Sequence, residues 1–214
     1  MIAILCPGSA WAKPETRLPI SFYCFNYAPN LKSIYIKSGE TAFKKIDLSI
    51  ANIVNGGQAS VEDGWLVLYG PQGDDGEHPA IERLETGSLQ EPLIILSSAE
   101  KDGKATYDAK AIEGHLKNFP MGGYYFVNLL PQAIKITIGD TAIELRTNEN
   151  KLVGPKSAAG EVTPVTIEYL NDGHWLLASS ARWSYRPDRR TIIGVRLDPR
   201  SKRVVVKSIP LREP

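Results

Sequence analysis

Phe25-Asn26-Tyr27-Ala28-Pro29 returns later in the chain as Val127-Asn128-Leu129-Leu130-Pro131. Each copy runs on into an apolar residue every second position, Leu31, Ile34 and Ile36 in the first and Ile134, Ile136 and Ile138 in the second. A period of two is the mark of a strand with one face buried. Both strands then meet the same turn, Gly39-Glu40-Thr41-Ala42 or Gly139-Asp140-Thr141-Ala142, and lead into a further apolar segment.

The correspondence extends outward in chain order. Gly64-Trp65-Leu66-Val67-Leu68 parallels His174-Trp175-Leu176-Leu177, and Leu93-Ile94-Ile95-Leu96 parallels Thr191-Ile192-Ile193-Gly194-Val195. Hairpin-like turns at Lys101-Asp102-Gly103-Lys104 and Pro199-Arg200-Ser201-Lys202 precede similar closing segments, Leu116-Lys117-Asn118-Phe119-Pro120-Met121 and Val206-Lys207-Ser208-Ile209-Pro210-Leu211. Matches in a constant order indicate an internal duplication. The copies fall at residues 13–121 and 124–214, joined near Met121-Gly122-Gly123.

Each copy holds roughly six or seven short apolar runs punctuated by Gly, Pro, Asn and Asp, the spacing of a β-sandwich or barrel. Helical periodicity is confined to residues 81–84 and 110–117. The Asn-x-x-Pro segments read as a strand followed by a bend at a sheet edge, because proline donates no ladder hydrogen bond. Phe-Asn-x-Ala-Pro, with its alternating strand and glycine turn, resembles the immunoglobulin-like modules of secreted bacterial proteins. That resemblance implies an all-β chain of two tandem immunoglobulin-like sandwiches and transfers no functional residues.

Composition agrees with a globular chain. Of 214 residues, 43% are hydrophobic and 23% charged, with a net charge of +1, which excludes a disordered tail. No apolar run is long enough for a membrane-spanning helix. Two cysteines, Cys6 and Cys24, exclude a disulfide framework. Cys24, between Tyr23 and Phe25, reads as a buried small hydrophobe. Residues 1–12 combine a short apolar run with Ala10-Trp11-Ala12, a small-x-small cleavage pattern, so a signal-peptide remnant cut before Lys13 and a secreted or periplasmic location are expected.

Charge is unevenly spread. Residues 61–100 carry nine acids against one base, whereas residues 182–207 carry nine bases against two acids. Such asymmetry guides association more than folding. It suits acidic and basic faces that meet within the chain or between copies, or a basic surface that meets an anionic polymer or glycan. The candidate ligand-binding residues are Arg182, Arg186, Arg189 and Arg190, with Trp183 and Tyr185 interleaved. In a strand Arg182 and Arg186 point one way and Trp183 and Tyr185 the other, which places the aromatics towards the core. Nucleic acid becomes a relevant partner only for a chain retained in the cytoplasm.

Catalytic signals are sparse. His78, His115 and His174 have no metal-ligand spacing, and Cys24 stands near none of them in sequence. Asn171-Asp172-Gly173-His174 reads as a hairpin turn. Gly73-Asp74-Asp75-Gly76-Glu77-His78 reads as a solvated acidic loop lacking an EF-hand pattern. Trp65 and Trp175, at matching places, are expected as one core tryptophan per copy; exposed, they would suit stacking on sugar rings. These features predict no catalytic residue, no metal and no cofactor. They favour a non-enzymatic structural or interaction role at the cell envelope over a polysaccharide-acting enzyme.

Overall fold

The computed structural model describes residues 16–154, 160–198 and 200–211. The proposed signal remnant and Cys6 lie outside the described residues. Among the described residues sixteen strands follow one another: β1 (Thr16–Cys24), β2 (Ser33–Lys37), β3 (Phe43–Asp47), β4 (Val54–Val61), β5 (Trp65–Tyr69), β6 (Ala80–Glu85), β7 (Pro92–Lys101), β8 (Lys104–Glu113), β9 (Tyr124–Asn128), β10 (Ile134–Ile138), β11 (Thr141–Leu145), β12 (Asn150–Val153), β13 (Val162–Asn171), β14 (His174–Ser184), β15 (Arg190–Leu197) and β16 (Val204–Leu211). They form four four-stranded sheets, ordered β4-β1-β7-β8, β3-β2-β5-β6, β12-β9-β15-β16 and β11-β10-β13-β14.

The second pair of sheets repeats the first with every strand number raised by eight. Each repeat is therefore a sandwich of eight strands, and its strand order differs from the A-B-E-D and C-F-G sheets of immunoglobulin domains. The β1–β7 pair is parallel, Tyr23 opposite Ile95, and so is β9–β15, Tyr125 opposite Ile192. A register shift interrupts β5–β6 between Leu68 and Tyr69 and β13–β14 between Ile167 and Glu168. Those positions are equivalent, because Tyr35 pairs with Tyr69 just as Lys135 pairs with Glu168.

Alternation explains the two sandwich cores. Ile20, Phe22 and Cys24 of β1 and Ile94 and Leu96 of β7 face Ile34, Ile36, Leu66 and Leu68 of the opposite sheet. Phe126, Ile193 and Val195 face Ile134, Ile136, Val165 and Ile167 in the second repeat. A third core lies between the repeats, where Tyr23, Phe25, Leu93, Ile95 and Ile112 meet Val127, Ile192 and Ile209. The inner sheets are thus covered on both faces, and the molecule is a stack of four sheets. This is why Leu93–Ile94–Ile95–Leu96 is apolar at every position rather than at alternate ones.

Phe25 keys the seam. Its ring lies against the backbone of Gly194, where any Cβ would collide with it. Lys207 Nζ donates to the Ile50 carbonyl at 3.1 Å and sits 5.3 Å from the Tyr23 ring centre. Arg190 donates to the carbonyls of Gly114 and Phe119 and lies over the Phe119 ring. Basic groups of the second repeat thus meet carbonyls and aromatic rings of the first.

Several expectations need correction. Residues 81–84 lie in β6, and residues 110–117 end β8 and then turn, so neither stretch is helical. β1 and β9 are central strands, and Pro29 and Pro131 fall beyond their ends, where no ladder donor is required. Leu116–Met121 follows β8, whereas Val206–Leu211 lies within β16. Trp65 opens β5 and Trp175 lies in β14, the counterpart of β6, so they are not equivalent. Both follow an Asp-Gly turn with positive φ, Asp63-Gly64 or Asp172-Gly173, and such a turn can join any two strands.

Candidate functional site

The outer face of β3-β2-β5-β6 carries the most distinctive side chains. Leu66 and Leu68 of β5 are buried, so the alternation turns Trp65, Val67 and Tyr69 outward. The same rule brings Tyr35 of β2 and Phe43 of β3 to this face. Phe43 meets Tyr69 edge to face, with ring centres 5.0 Å apart. The His78 ring packs 4.3 Å from Tyr35 and 4.5 Å from Phe43, and its Nδ1 lies 2.8 Å from the Gly70 carbonyl. The Arg83 guanidinium lies 4.6 Å from the Trp65 ring centre.

Beside these rings runs an open groove of about 520 Å³, bordered by Trp65, Val67, Tyr69, Glu62, Glu82 and Arg83. Lys37 Nζ reaches Glu62 at 3.2 Å, and Glu62 raises the Lys37 pKa by accepting that hydrogen bond. Glu82 is paired with Lys101 at 2.6 Å. The face therefore offers partly exposed aromatic surfaces flanked by charged donors and acceptors.

The second repeat supplies an internal control. By register, Tyr35, Phe43, Trp65 and Tyr69 correspond to Lys135, Ala142, Pro164 and Glu168. Trp175 takes the place of His78: Lys135 Nζ lies 4.7 Å from the Trp175 ring, as Tyr35 packs on His78. The buried positions stay aliphatic in both repeats while the outward positions diverge. Trp65 and Trp175 are partly exposed and each is covered by a cation, which corrects the expectation of two core tryptophans.

The arginine-rich segment is spread over several surroundings. Arg182, near the end of β14, is exposed opposite Pro164. Arg186 and Arg189 both approach Asp188, at 3.2 and 3.6 Å, and these partners hold the Asp188 carboxyl below its ordinary range. Arg190 belongs to the seam. Trp183 packs on the second core, 5.4 Å from Tyr124 and 6.1 Å from Phe126. Tyr185 leans on Gly122, leaving no room there for a side chain. Arg190 also borders a cleft of about 540 Å³ at the end of the seam, walled by Pro19, Leu93, Ile209 and Leu211 and by Glu91.

Other titratable groups are tied into structure. Burial pushes the Cys24 thiol up to about 11, and Sγ donates to the Asn26 carbonyl at 3.1 Å. Burial also drives the Tyr107 hydroxyl well above its ordinary range; it donates to the Leu31 carbonyl and accepts from Ala28 N–H. Glu113 is raised by burial, but N–H groups of Gln90, His115, Glu91 and Asn118 outweigh this and hold it below the usual carboxylate range. Among the described residues no group of His, Cys, Asp and Glu is arranged to hold a metal ion.

The aromatic face is not legible in the sequence alone, because Tyr35, Phe43, Tyr69 and His78 come together only through pairing across three strands and a loop. The alternation of Trp65, Val67 and Tyr69 is the signal that points to it. No protein-family model matches the chain, and no curated protein matches it.

Proposed function

We propose that this is a non-enzymatic binding protein of the cell envelope, secreted or periplasmic, whose first sandwich recognises a glycan through its outer aromatic face. The observation that carries this reading is the cluster of Trp65, Tyr69, Tyr35 and Phe43 on a face whose counterpart in the second repeat is Lys135, Ala142, Pro164 and Glu168. A sugar ring has an apolar C–H face and a hydroxyl rim. Aromatic faces cover the first, while Arg83, Lys37 and Glu62 suit the second. Trp65 and Tyr69 stand four residues apart on one strand, about 13 Å, the span of an oligosaccharide rather than one sugar.

The test is retardation of the protein in gels containing neutral and anionic envelope polysaccharides, followed by calorimetric titration. Retardation by a polysaccharide that disappears in Trp65→Ala and Tyr69→Ala, both still folded, is the expected result. Equal retardation of wild type and both variants would overturn it.

A second reading, an anionic polymer held by the arginine-rich segment, is favoured by the exposure of Arg182 and Arg186, whereas Arg189 pairs with Asp188 and Arg190 serves the seam. It requires affinity that falls steeply with salt. Fractionation of the native host and the intact mass of the protein test export, with a chain beginning at Lys13 expected outside the cytoplasm.

A further inference from the structure

The same scaffold builds its two corresponding edge strands differently, although both carry a bulge at the same place and both pack against the end strand of the neighbouring sheet. β6 is six residues long, follows Pro79 and carries Glu82, Arg83 and Glu85. It is also engaged by its neighbours, with Thr106 Oγ1 donating to the Ile81 carbonyl at 3.3 Å and Lys101 paired to Glu82. Short length, charge and a covering contact are the devices that keep a sheet edge from pairing with another chain. β14 has eleven residues and, among the described residues, is last in its sheet. From Trp175 to Ala181 it contains no charge and no proline, and Leu176 and Leu177 are 41% and 62% exposed. Its one irregularity is the extra residue Ala178, where the register against β13 shifts.

We infer that β14 is a docking edge and that its occupant is β14 of a second copy of this chain, added antiparallel across a two-fold axis. Two-fold pairing presents one surface to itself, so each residue's neighbour follows from the register. Residues opposite each other in an antiparallel pair must share a face. In β14 Trp175 and Leu177 point outward before the extra residue, and Ser180 and Arg182 point outward after it. The two sets meet when the axis lies between Ala178 and Ser179, which sets Leu177 against Ser180 and Trp175 against Arg182. Each copy then places an arginine beside the other's tryptophan, a favourable cross-strand pairing of a cation with an aromatic ring. The two hairpin tips, with their exposed leucines, lie across the new strand pair. A continuous eight-stranded sheet results, with the aromatic glycan face of each copy remote from the junction.

A single strand edge buries less surface than the ~1,200 Å² of standard stable interfaces, so the dimer is weak and concentration-dependent. Sedimentation equilibrium of the full chain, from low micromolar to near-millimolar concentration, should show the mass rising from 23.6 kDa towards twice that value. Leu177→Lys, placed where the side chain is already 62% exposed, should keep the wild-type circular dichroism and weaken association at least tenfold. Ser180→Pro, which removes a backbone donor, should do the same. A wild-type chain that stays monomeric throughout would overturn the inference. So would association of the folded Leu177→Lys chain at wild-type strength, because the contact would then lie elsewhere.

Discussion

Gly194 shows how much can rest on one absent methyl group. It lies in β15 with extended backbone, and its need for glycine comes from the Phe25 ring of the other repeat. Gly194→Ala should destabilise the protein by about 1–3 kcal/mol through overpacking, seen as a lower urea midpoint with unchanged slope. Phe25→Ala empties the same site from the other side and should cost about 3–5 kcal/mol. Cys24 gives a pH prediction. Its thiol titrates near 9.0 when solvated and at about 11 in the fold, because burial disfavours the thiolate. Between those values the unfolded chain binds fewer protons than the native one, so stability is intact below pH 9 and falls as pH rises to 11. The loss from Cys24 is about 2–3 kcal/mol, with Tyr107, raised from an ordinary value of 10.0, adding in the same direction from about pH 10 upward. Urea titrations across this range should show the slope, and Cys24→Ala should reduce it. Peptide mapping after alkylation at pH 8 should find Cys24 unlabelled until denaturant is added.

At the scale of the element, Trp65 and Tyr69 ride on β5 while Leu66 and Leu68 hold it to the core. Trp65→Ala should therefore cost about 1 kcal/mol or less in stability, against about 3–5 for a buried aromatic, and yet abolish glycan retardation. Thermal melts and affinity gels on one preparation separate the two effects. The elements also show what sequence makes visible. The Asn-x-x-Pro starts, the Gly39 and Gly139 turns and the runs Leu93–Leu96 and Ile192–Val195 are local features, and they revealed the duplication and the all-β class. The extra residues Ile81 and Ala178 leave no local trace, because a bulge depends on the partner strand. The echo between Asp63-Gly64-Trp65 and Asp172-Gly173-His174-Trp175 does not mark equivalent strands, because turn chemistry is indifferent to which strands it joins. The aromatic face stayed hidden since Phe43 and His78 reach it by sheet pairing and by a loop fold.

For the whole molecule, the third core makes the two sandwiches one mechanical body. Tyr23, Phe25, Leu93, Ile95, Val127, Ile192 and Ile209 are all buried at the seam, so neither repeat can open its inner sheet while the other stays folded without exposing that layer to water. Differential scanning calorimetry should record a single transition with matching calorimetric and van't Hoff enthalpies; two resolved transitions would show independent sandwiches. The four-sheet stack also has a consequence during biosynthesis. The first repeat leaves the ribosome before the second exists, and at about 5–20 residues per second some ninety residues take roughly 5–20 s to follow. Throughout that interval Tyr23, Phe25, Leu93 and Ile95 form an uncovered greasy wall on a half-made protein. The nascent chain is therefore most vulnerable to clumping at mid-synthesis, and a gene truncated after the first repeat should yield insoluble inclusion bodies rather than a smaller working protein.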